Sequence, residues 1–322
     1  MRFLILGAGG IGAYFGSRLV QADHGVTFVV RGDHGAALAS RGLVLDHPQH
    51  PYAGPVDTVS GDALTAARVM NADYVLVCLK STATAEAAHH LAALMPRRED
   101  PGGPLVVSLQ NGVDNEAVLA DILGARRVVG GLTRRIGAHI AAPGHVWATG
   151  PAETLLGRWP DDARCGPDAP SRASIEALAE ALRGAAIPTE ISPDIHRELW
   201  RKLVINNGVN ALAALLGEET GPLLADPGLS ELVHDLMAEA AAAARADGVL
   251  LDREAVDEMH RLISTFDSIK PSMLVDRERG REPEMDAICG AVIARCRAAG
   301  EDAPHTRTVV RLLRHALERD RR

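Results

Sequence analysis

The amino-acid sequence predicts an α/β fold in which a doubly wound parallel sheet is followed by an all-α C-terminal domain. In roughly the first 190 residues, short apolar runs alternate with segments of helical periodicity, the pattern typical of doubly wound sheets. A glycine-rich turn directly follows the first apolar run. From Ser192 onward strand signals are almost absent and the pattern is helical.

Continuous runs of Val, Ile and Leu predict the parallel strands, because such strands are buried on both faces. These runs are Phe3–Leu6, Val26–Val30, Tyr74–Leu79 and Leu105–Leu109. Shorter segments with glycine and proline between them predict antiparallel additions at the sheet edge. They are Val128–Leu132, His139–Ala141, His145–Thr149 and Thr154–Leu156.

A proline after a capping serine, Ser192-Pro193, predicts the start of the helical region. Helices are expected over residues 194–207, 229–247, 252–266, 284–299 and 306–319, with Gly248 and Gly300 at C-terminal caps. We place the domain boundary between Gly184 and Ser192. The prediction is one domain over residues 1–188 and a helical domain over residues 189–322.

The composition argues against several classes of protein. The 322 residues contain 34 Lys and Arg against 42 Asp and Glu, a net charge of −8, which argues against nucleic acid or an anionic membrane as a partner. No apolar run approaches the ~18 residues that a membrane span needs. The four cysteines form no C-x-x-C pair and the histidines no H-E-x-x-H motif. We therefore expect no metal site, no disulfide framework and a cytoplasmic protein.

The motif Gly7-Ala8-Gly9-Gly10-Ile11-Gly12 is a G-x-G-x-x-G sequence between the first predicted strand and a helical pattern. In a Rossmann-type domain the first glycine allows a tight turn, the second lets the backbone approach a pyrophosphate, and the third lets helix and strand pack closely. The helix N-terminus attracts the phosphate charge. We therefore expect a dinucleotide at Gly7, Gly9, Gly10, Ile11 and Gly12. A glycine-rich turn without a ligand is the alternative.

The end of the second strand indicates which dinucleotide binds. An NAD site usually has Asp or Glu about 20 residues after the glycines, where it holds the ribose 2′-OH. Here the strand ends at Arg31, whose guanidinium matches a 2′-phosphate in geometry and charge. This favours NADP, although Asp33 lies nearby. An ordinary surface arginine is the alternative interpretation.

Two further strand ends carry polar residues, Lys80 after the third run and Asn111 after the fourth. In open α/β sheets, ligands bind beyond the carboxyl ends of the strands. Both side chains are therefore placed to meet a cofactor or substrate. For Asn111-Gly112, a simple turn dipeptide is an equally good interpretation.

Glu198, Lys202, Asn206 and Asn210 recur every four residues at the start of the helical region, which places them along one face of a helix. A Glu198–Lys202 surface pair with two solvated asparagines would be an ordinary explanation. Asparagine is a poor helix former, however, so two asparagines inside a helix often have another role.

The chain resembles the ketopantoate reductase (2-dehydropantoate 2-reductase) family along nearly its whole length. The matching stretches are Gly7–Gly12, Cys78–Lys80, Leu109–Val113, Leu199–Asn206, Pro271–Leu274 and Glu284–Asp286. The resemblance implies a Rossmann domain, here the NADP-binding domain, followed by a helical substrate domain. It also implies NADPH-dependent reduction of 2-dehydropantoate to (R)-pantoate for pantothenate biosynthesis.

The resemblance assigns the catalytic roles to two residues. Lys202 matches the general acid that protonates the carbonyl oxygen as hydride adds to C2, and its ammonium also stabilises the developing alkoxide. Glu284 matches the acidic residue that binds the substrate hydroxyl and supports the lysine. A carboxylate favoured by a helix dipole just after Pro283 is the alternative for Glu284.

Binding roles follow from the same resemblance. Ser272 matches a contact to the substrate carboxylate, with a cap after Lys270-Pro271 as the alternative. The amides that match those orienting substrate and nicotinamide are Asn111, Asn206 and Asn210. The basic contacts to the NADPH phosphates match Arg31 and Lys80.

The sequence departs from the family near the expected substrate. Ala211 stands where the family often has proline, and Thr220 stands where it frequently has asparagine before a glycine. The alternatives are therefore a reductase of another branched 2-oxo acid or an opine-type dehydrogenase, and, outside enzymes, an NADPH-binding sensor. A small 2-oxo acid is the expected partner, and the helical domain could supply a homodimer interface.

Overall fold

The computed structural model describes residues 1–167, 169–265 and 268–320. The chain divides into two compact units. Unit 1 contains Met1–Gln110 and Asn115–His196, and unit 2 contains Asn111–Asp114 and the chain from Arg197 onward. This division falls after His196 rather than after the predicted residue 188, because residues 189–191 form a strand of the unit 1 sheet. Phe266, the last residue of the helix predicted over 252–266, lies outside the described residues, as do the last two residues of the predicted helical domain.

The described strands lie in unit 1. They are β1 (Arg2–Leu6), β2 (Gly25–Val30), β3 (Leu43–Asp46), β4 (Tyr52–Gly54), β5 (Asp57–Ser60), β6 (Tyr74–Val77), β7 (Leu105–Ser108), β8 (Val128–Arg134), β9 (Gly137–Ala142), β10 (His145–Thr149), β11 (Glu153–Arg158) and β12 (Thr189–Ile191). Eight of them form one sheet in the order β12-β11-β8-β7-β6-β1-β2-β5. The strands from β8 to β5 in this order run parallel, whereas β11 is antiparallel to β8 and parallel to β12.

The helices cover the sheet in unit 1 and make up most of unit 2. They are α1 (Gly10–Gln21), α2 (Gly32–Arg41), α3 (Ala66–Met70), α4 (Thr84–Leu94), α5 (Asn115–Leu123), α6 (Arg172–Gly184), α7 (Ile195–Leu216), α8 (Thr220–Ala225), α9 (Pro227–Ala244), α10 (Arg253–Ser264), α11 (Ser272–Glu278), α12 (Ala291–Ala298) and α13 (Pro304–Asp320). A π-helical segment, Asp286–Gly290, precedes α12. The predicted α/β fold is confirmed. Within the described ranges, no helix is long and apolar enough to cross a bilayer.

A second sheet, of order β4-β3-β10-β9, corrects part of the prediction. The segments at β9 and β10 were expected at the edge of the main sheet. Instead β10 pairs in parallel with β3, and β9 pairs antiparallel with β10. The reason is that this sheet buries its apolar face against α1, where Leu43, Leu45 and Val146 join one core with Tyr14 and Phe15. The segment at β8 is also parallel to β7 rather than antiparallel.

Helix α7 is longer than predicted and continues to Leu216. Its extension, from Gly208 onward, includes the helix formers Ala211 to Ala214, which are all buried. The helix continues through Gly208, where the packing requires a glycine: a Cβ there would lie 2.6 Å from Cγ of Met237 on α9. The short helices α8 and α11 were not predicted.

Candidate functional site

Three glycines of the loop after β1 are required by the protein's own packing. Gly7 has φ +92°, a left-handed conformation that favours glycine. A Cβ on Gly12 would lie 1.9 Å from the carbonyl oxygen of Gly7, and one on Gly10 would lie 2.4 Å from the backbone of Ala138. Ile11, in the same motif, is partly buried and packs against the core.

Gly9 is different, because the described part of the chain does not require a glycine there. Its φ is −66°, which any residue adopts, and a Cβ would meet none of the described residues within 4 Å. Gly9 is the N-cap of α1, and the first turn of this helix carries no acidic residue. Space beside backbone N–H groups at a helix N-terminus fits a phosphate group. The loop therefore fits the close approach of a pyrophosphate at Gly9.

The contrast between Gly9 and Gly12 gives a testable prediction. Gly12→Ala should lower the free energy of unfolding by about 1–3 kcal/mol, because the added methyl group overlaps the Gly7 carbonyl. Gly9→Ala should keep the stability of the wild type yet weaken dinucleotide binding roughly tenfold, about 1.4 kcal/mol. Urea unfolding and a fluorescence titration of the cofactor measure the two effects. A Gly9→Ala variant with unchanged affinity would contradict the assignment of this space to the cofactor.

Neighbouring strand ends bring Arg31, the glycine loop and Lys80 to one edge of the sheet. β1 lies between β2 and β6. The Gly7 N–H donates to the Val29 carbonyl at 3.1 Å, and the Cys78 N–H donates to the Leu6 carbonyl at 2.9 Å. Arg31 is the N-cap of α2, and its side chain is exposed, as is that of Lys80. Two cationic side chains thus flank the loop on its two sides.

A buried polar network, which the sequence did not reveal, fixes the chain between β7 and Asn111. The Gln110 amide nitrogen donates to Thr84 Oγ1 at 2.9 Å, and Thr84 Oγ1 donates to Asn115 Oδ1 at 2.8 Å. Ser108 Oγ donates to Gln110 Oε1 at 3.3 Å. All four side chains are buried, and a satisfied buried network is rigid. Gln110 therefore holds the backbone that leads directly into Asn111.

In unit 2, α7 carries Lys202, Asn206 and Asn210 at intervals of four residues. Lys202 and Asn206 are half-buried, and Asn210 is buried. The Asn210 Oδ1 accepts hydrogen bonds from Ser272 Oγ at 3.1 Å and from the Met273 N–H at 3.3 Å. The structure thus brings Asn210 and Ser272 together. Because its oxygen is committed to α11, Asn210 can offer only its amide N–H groups to a ligand.

The surroundings of the two acidic candidates, Glu198 and Glu284, are also defined. Glu198 lies 3.9 Å from the guanidinium of Arg201, a neighbour that the four-residue spacing did not single out. Glu284 is half-buried and lies two residues before the π-helical segment Asp286–Gly290. π-Helical turns interrupt regular hydrogen bonding and are frequent at functional sites.

Two protein-family models match the chain over most of its length. The model described as "Ketopantoate reductase PanE/ApbA" matches residues 3–161, and "Ketopantoate reductase PanE/ApbA C terminal" matches residues 194–318. The chain belongs to the ketopantoate reductase family. The resemblance noted in the sequence is confirmed, and the protein is an oxidoreductase of the class that acts on CH–OH groups.

Individual ketopantoate reductases and related structures agree with this membership. A 2-dehydropantoate 2-reductase of Halobacterium salinarum is 30% identical over 98% of this chain and 99% of its own. The crystal structure of a PanE/ApbA family ketopantoate reductase from Ralstonia eutropha JMP134 has a TM-score of 0.84 at 30% identity, covering 100% of both chains. A D-mandelate dehydrogenase bound to NADH and anilino(oxo)acetate has a TM-score of 0.86, covers 99% of both chains and is 22% identical, which shows the fold alone.

The structure defines the surroundings of the residues at the two departures from the expected ketopantoate reductase pattern. Ala211 is buried within α7. Thr220 begins α8 and holds the segment before Ser272: its Oγ1 accepts from the Ile269 N–H at 3.0 Å and donates to the Ile269 carbonyl at 3.3 Å. A hydroxyl that both donates and accepts a hydrogen bond within the protein has a structural role, which the sequence alone did not indicate.

We therefore expect Thr220→Val to lower the free energy of unfolding by about 1–3 kcal/mol, because the Ile269 N–H loses its acceptor. Thr220→Ser keeps the hydroxyl and is the matched control, which should retain most of the stability. Urea unfolding of both variants measures the difference. If the valine variant were as stable as the serine variant, the bond to Ile269 would contribute nothing.

Proposed function

We propose that this member of the ketopantoate reductase family reduces 2-dehydropantoate to (R)-pantoate with NADPH, in the manner expected from its sequence. The observation that carries the proposal is the row of Lys202, Asn206 and Asn210 on α7, with Asn210 bonded to Ser272. A cation, two amides and a hydroxyl are the groups needed to hold and protonate a 2-oxo acid.

The cofactor proposal depends on unit 1. The space at Gly9 fits a pyrophosphate, and the exposed Arg31 at the end of β2 fits a 2′-phosphate better than a 2′-hydroxyl. Lys80, on the opposite side of the loop, adds a second positive charge for the phosphates. NADPH supplies the hydride that the ketone carbon receives.

Each residue of unit 2 then has a chemical task. Lys202 donates a proton to the carbonyl oxygen at C2 and stabilises the negative charge that develops there. The amide N–H groups of Asn210 donate to the substrate carboxylate and carbonyl. Ser272 Oγ donates to Asn210 Oδ1 in this structure, and it contacts the substrate carboxylate once its single proton turns from that oxygen to the carboxylate. Glu284 accepts a hydrogen bond from the substrate hydroxyl, which selects 2-dehydropantoate over acids without that group. Asn111 and Asn206 orient the substrate and the nicotinamide.

Steady-state kinetics on a panel of 2-oxo acids tests the proposal. With NADPH, kcat/KM for 2-dehydropantoate should exceed that for 3-methyl-2-oxobutanoate, which lacks the hydroxyl, by at least roughly tenfold. A higher value for the hydroxyl-free acid would favour the alternative reductase, and turnover that requires an amine would favour the opine-type dehydrogenase. NADPH binding without turnover of any acid would favour a sensor.

A further inference from the structure

His34, in the first turn of α2, joins three elements around the glycine loop. Its Nε2 lies 2.9 Å from the carbonyl oxygen of Ala8, the second residue of the G-x-G-x-x-G motif. Its Nδ1 lies 3.1 Å from the N–H of Gly144, in the turn between β9 and β10. All three residues belong to unit 1. One imidazole therefore links the loop to both α2 and the second sheet.

The two contacts define the protonation state of the ring. The Gly144 N–H can donate only to an unprotonated ring nitrogen, so Nδ1 is the acceptor. The proton of the neutral ring is then on Nε2, which donates to the Ala8 carbonyl. A doubly protonated ring would lose the Gly144 bond, since its Nδ1 would be a donor.

The bond to Ala8 also orients the next N–H group. In a planar trans peptide, the C=O and the following N–H point in opposite directions. Holding the Ala8 oxygen toward His34 therefore turns the Gly9 N–H away from His34. A Cβ on Gly9 would meet none of the described residues within 4 Å. The open space beside Gly9 is the one that fits the pyrophosphate.

We propose that neutral His34 is a positioning residue for the dinucleotide, holding the Ala8–Gly9 peptide with its N–H directed at the pyrophosphate. The inference rests on the proposed cofactor site, and it adds a residue that does not touch the cofactor. Because the pyrophosphate is common to both dinucleotides, His34 should affect NADP and NAD alike, whereas Arg31 should affect NADP alone.

The proposal predicts a response to acid. Burial lowers the pKa of His34 below its ordinary value, and the Ala8 and Ala142 carbonyls, which favour the protonated ring, only partly oppose this. As the pH falls through that pKa, the ring gains a proton, Nδ1 releases the Gly144 N–H, and dinucleotide binding weakens. At neutral pH the ring is unprotonated and binding is at its full strength.

The charged groups around the ring have other partners or lie in solvent. The loop Gly7–Gly12 has no titratable side chain. On α2, Arg31 and Asp33 are exposed, and Arg41 donates to the Pro143 carbonyl at 3.1 Å. His145, next to Gly144, bonds to Asp46 at 2.6 Å.

Calorimetric titration with NADP⁺ and NAD⁺ at several pH values tests the proposal on the wild type, His34→Ala and His34→Gln. A glutamine amide can donate and accept as the neutral ring does, but it does not titrate. His89→Gln, an exposed histidine on α4, is the matched control. The 2′-phosphate of NADP⁺ has its own pKa of about 6. NAD⁺ lacks this group, so the pH dependence of NAD⁺ binding reports on His34 without it.

His34→Ala should weaken binding of both dinucleotides by roughly threefold to tenfold at neutral pH. His34→Gln should bind within about twofold of the wild type and lose the weakening of NAD⁺ binding in acid. The proposal is overturned if His34→Ala binds both dinucleotides as the wild type does, or if His34→Gln keeps the acid response. If the wild type bound neither dinucleotide, the proposed function itself would fail, a result distinct from these.

Discussion

Replacing Lys202 with alanine should lower kcat for 2-dehydropantoate by roughly 10²–10⁴, the usual contribution of a general acid. The variant should still fold and bind NADPH with unchanged affinity, because Lys202 acts on the substrate carbonyl in this proposal. Steady-state kinetics and a binding titration measure the two quantities on the same preparation.

Two further variants complete the test: Lys202→Arg separates proton transfer from charge, and Arg201→Ala is a control at a neighbouring cation. Lys202→Arg keeps the positive charge but hardly releases a proton, so its kcat should also remain low. Arg201→Ala removes the half-buried neighbour that lies 3.9 Å from Glu198, and it should leave kcat nearly unchanged. If Lys202→Ala kept kcat within about threefold of the wild type, Lys202 would not be the proton donor.

Replacing Arg31 with aspartate should weaken NADPH binding by at least an order of magnitude, about 1.4 kcal/mol. The guanidinium that we propose as the partner of the 2′-phosphate is lost, and a carboxylate that would repel a phosphate takes its place. NADH binding should hardly change, because NADH has no 2′-phosphate. Competitive titration of both cofactors gives the ratio of the two dissociation constants.

Arg31→Gln provides the graded control, since it removes the charge without adding repulsion. Its NADPH affinity should lie between those of the wild type and the aspartate variant. An equal loss of NADPH and NADH binding in the aspartate variant would show that Arg31 acts on something other than the 2′-phosphate.

The sequence predicted the centre of the main sheet because its signals are local. Each of the four strands β1, β2, β6 and β7 contains a continuous apolar run, and the glycine motif lies between β1 and α1. The outer parallel strands β5 and β12 have no such run and were not predicted. The second sheet was missed because its pairing is not local: β3 is four residues long and pairs with β10, which lies far along the chain. Only the burial of both strands against α1 shows that they belong together.

The difference between local and long-range signals also decides which candidate residues the sequence could indicate. Gly7, Arg31 and Lys202 could be selected from motifs and spacing, and their roles remain predictions. His34, Thr84 and Thr220 could not, because their hydrogen bonds join residues 110, 31 and 49 positions apart. No periodicity in the sequence encodes such pairs. They become visible only when the fold places one residue beside the other.

Transfer of hydride from NADPH to C2 of 2-dehydropantoate can be followed directly with an isotope label. The purified protein is incubated with 2-dehydropantoate and NADPH that carries deuterium at the transferable position of the nicotinamide, and the pantoate formed is examined by NMR and chiral chromatography. We expect (R)-pantoate with deuterium at C2. Pantoate without deuterium at C2, or no pantoate under conditions in which the cofactor binds, would contradict it.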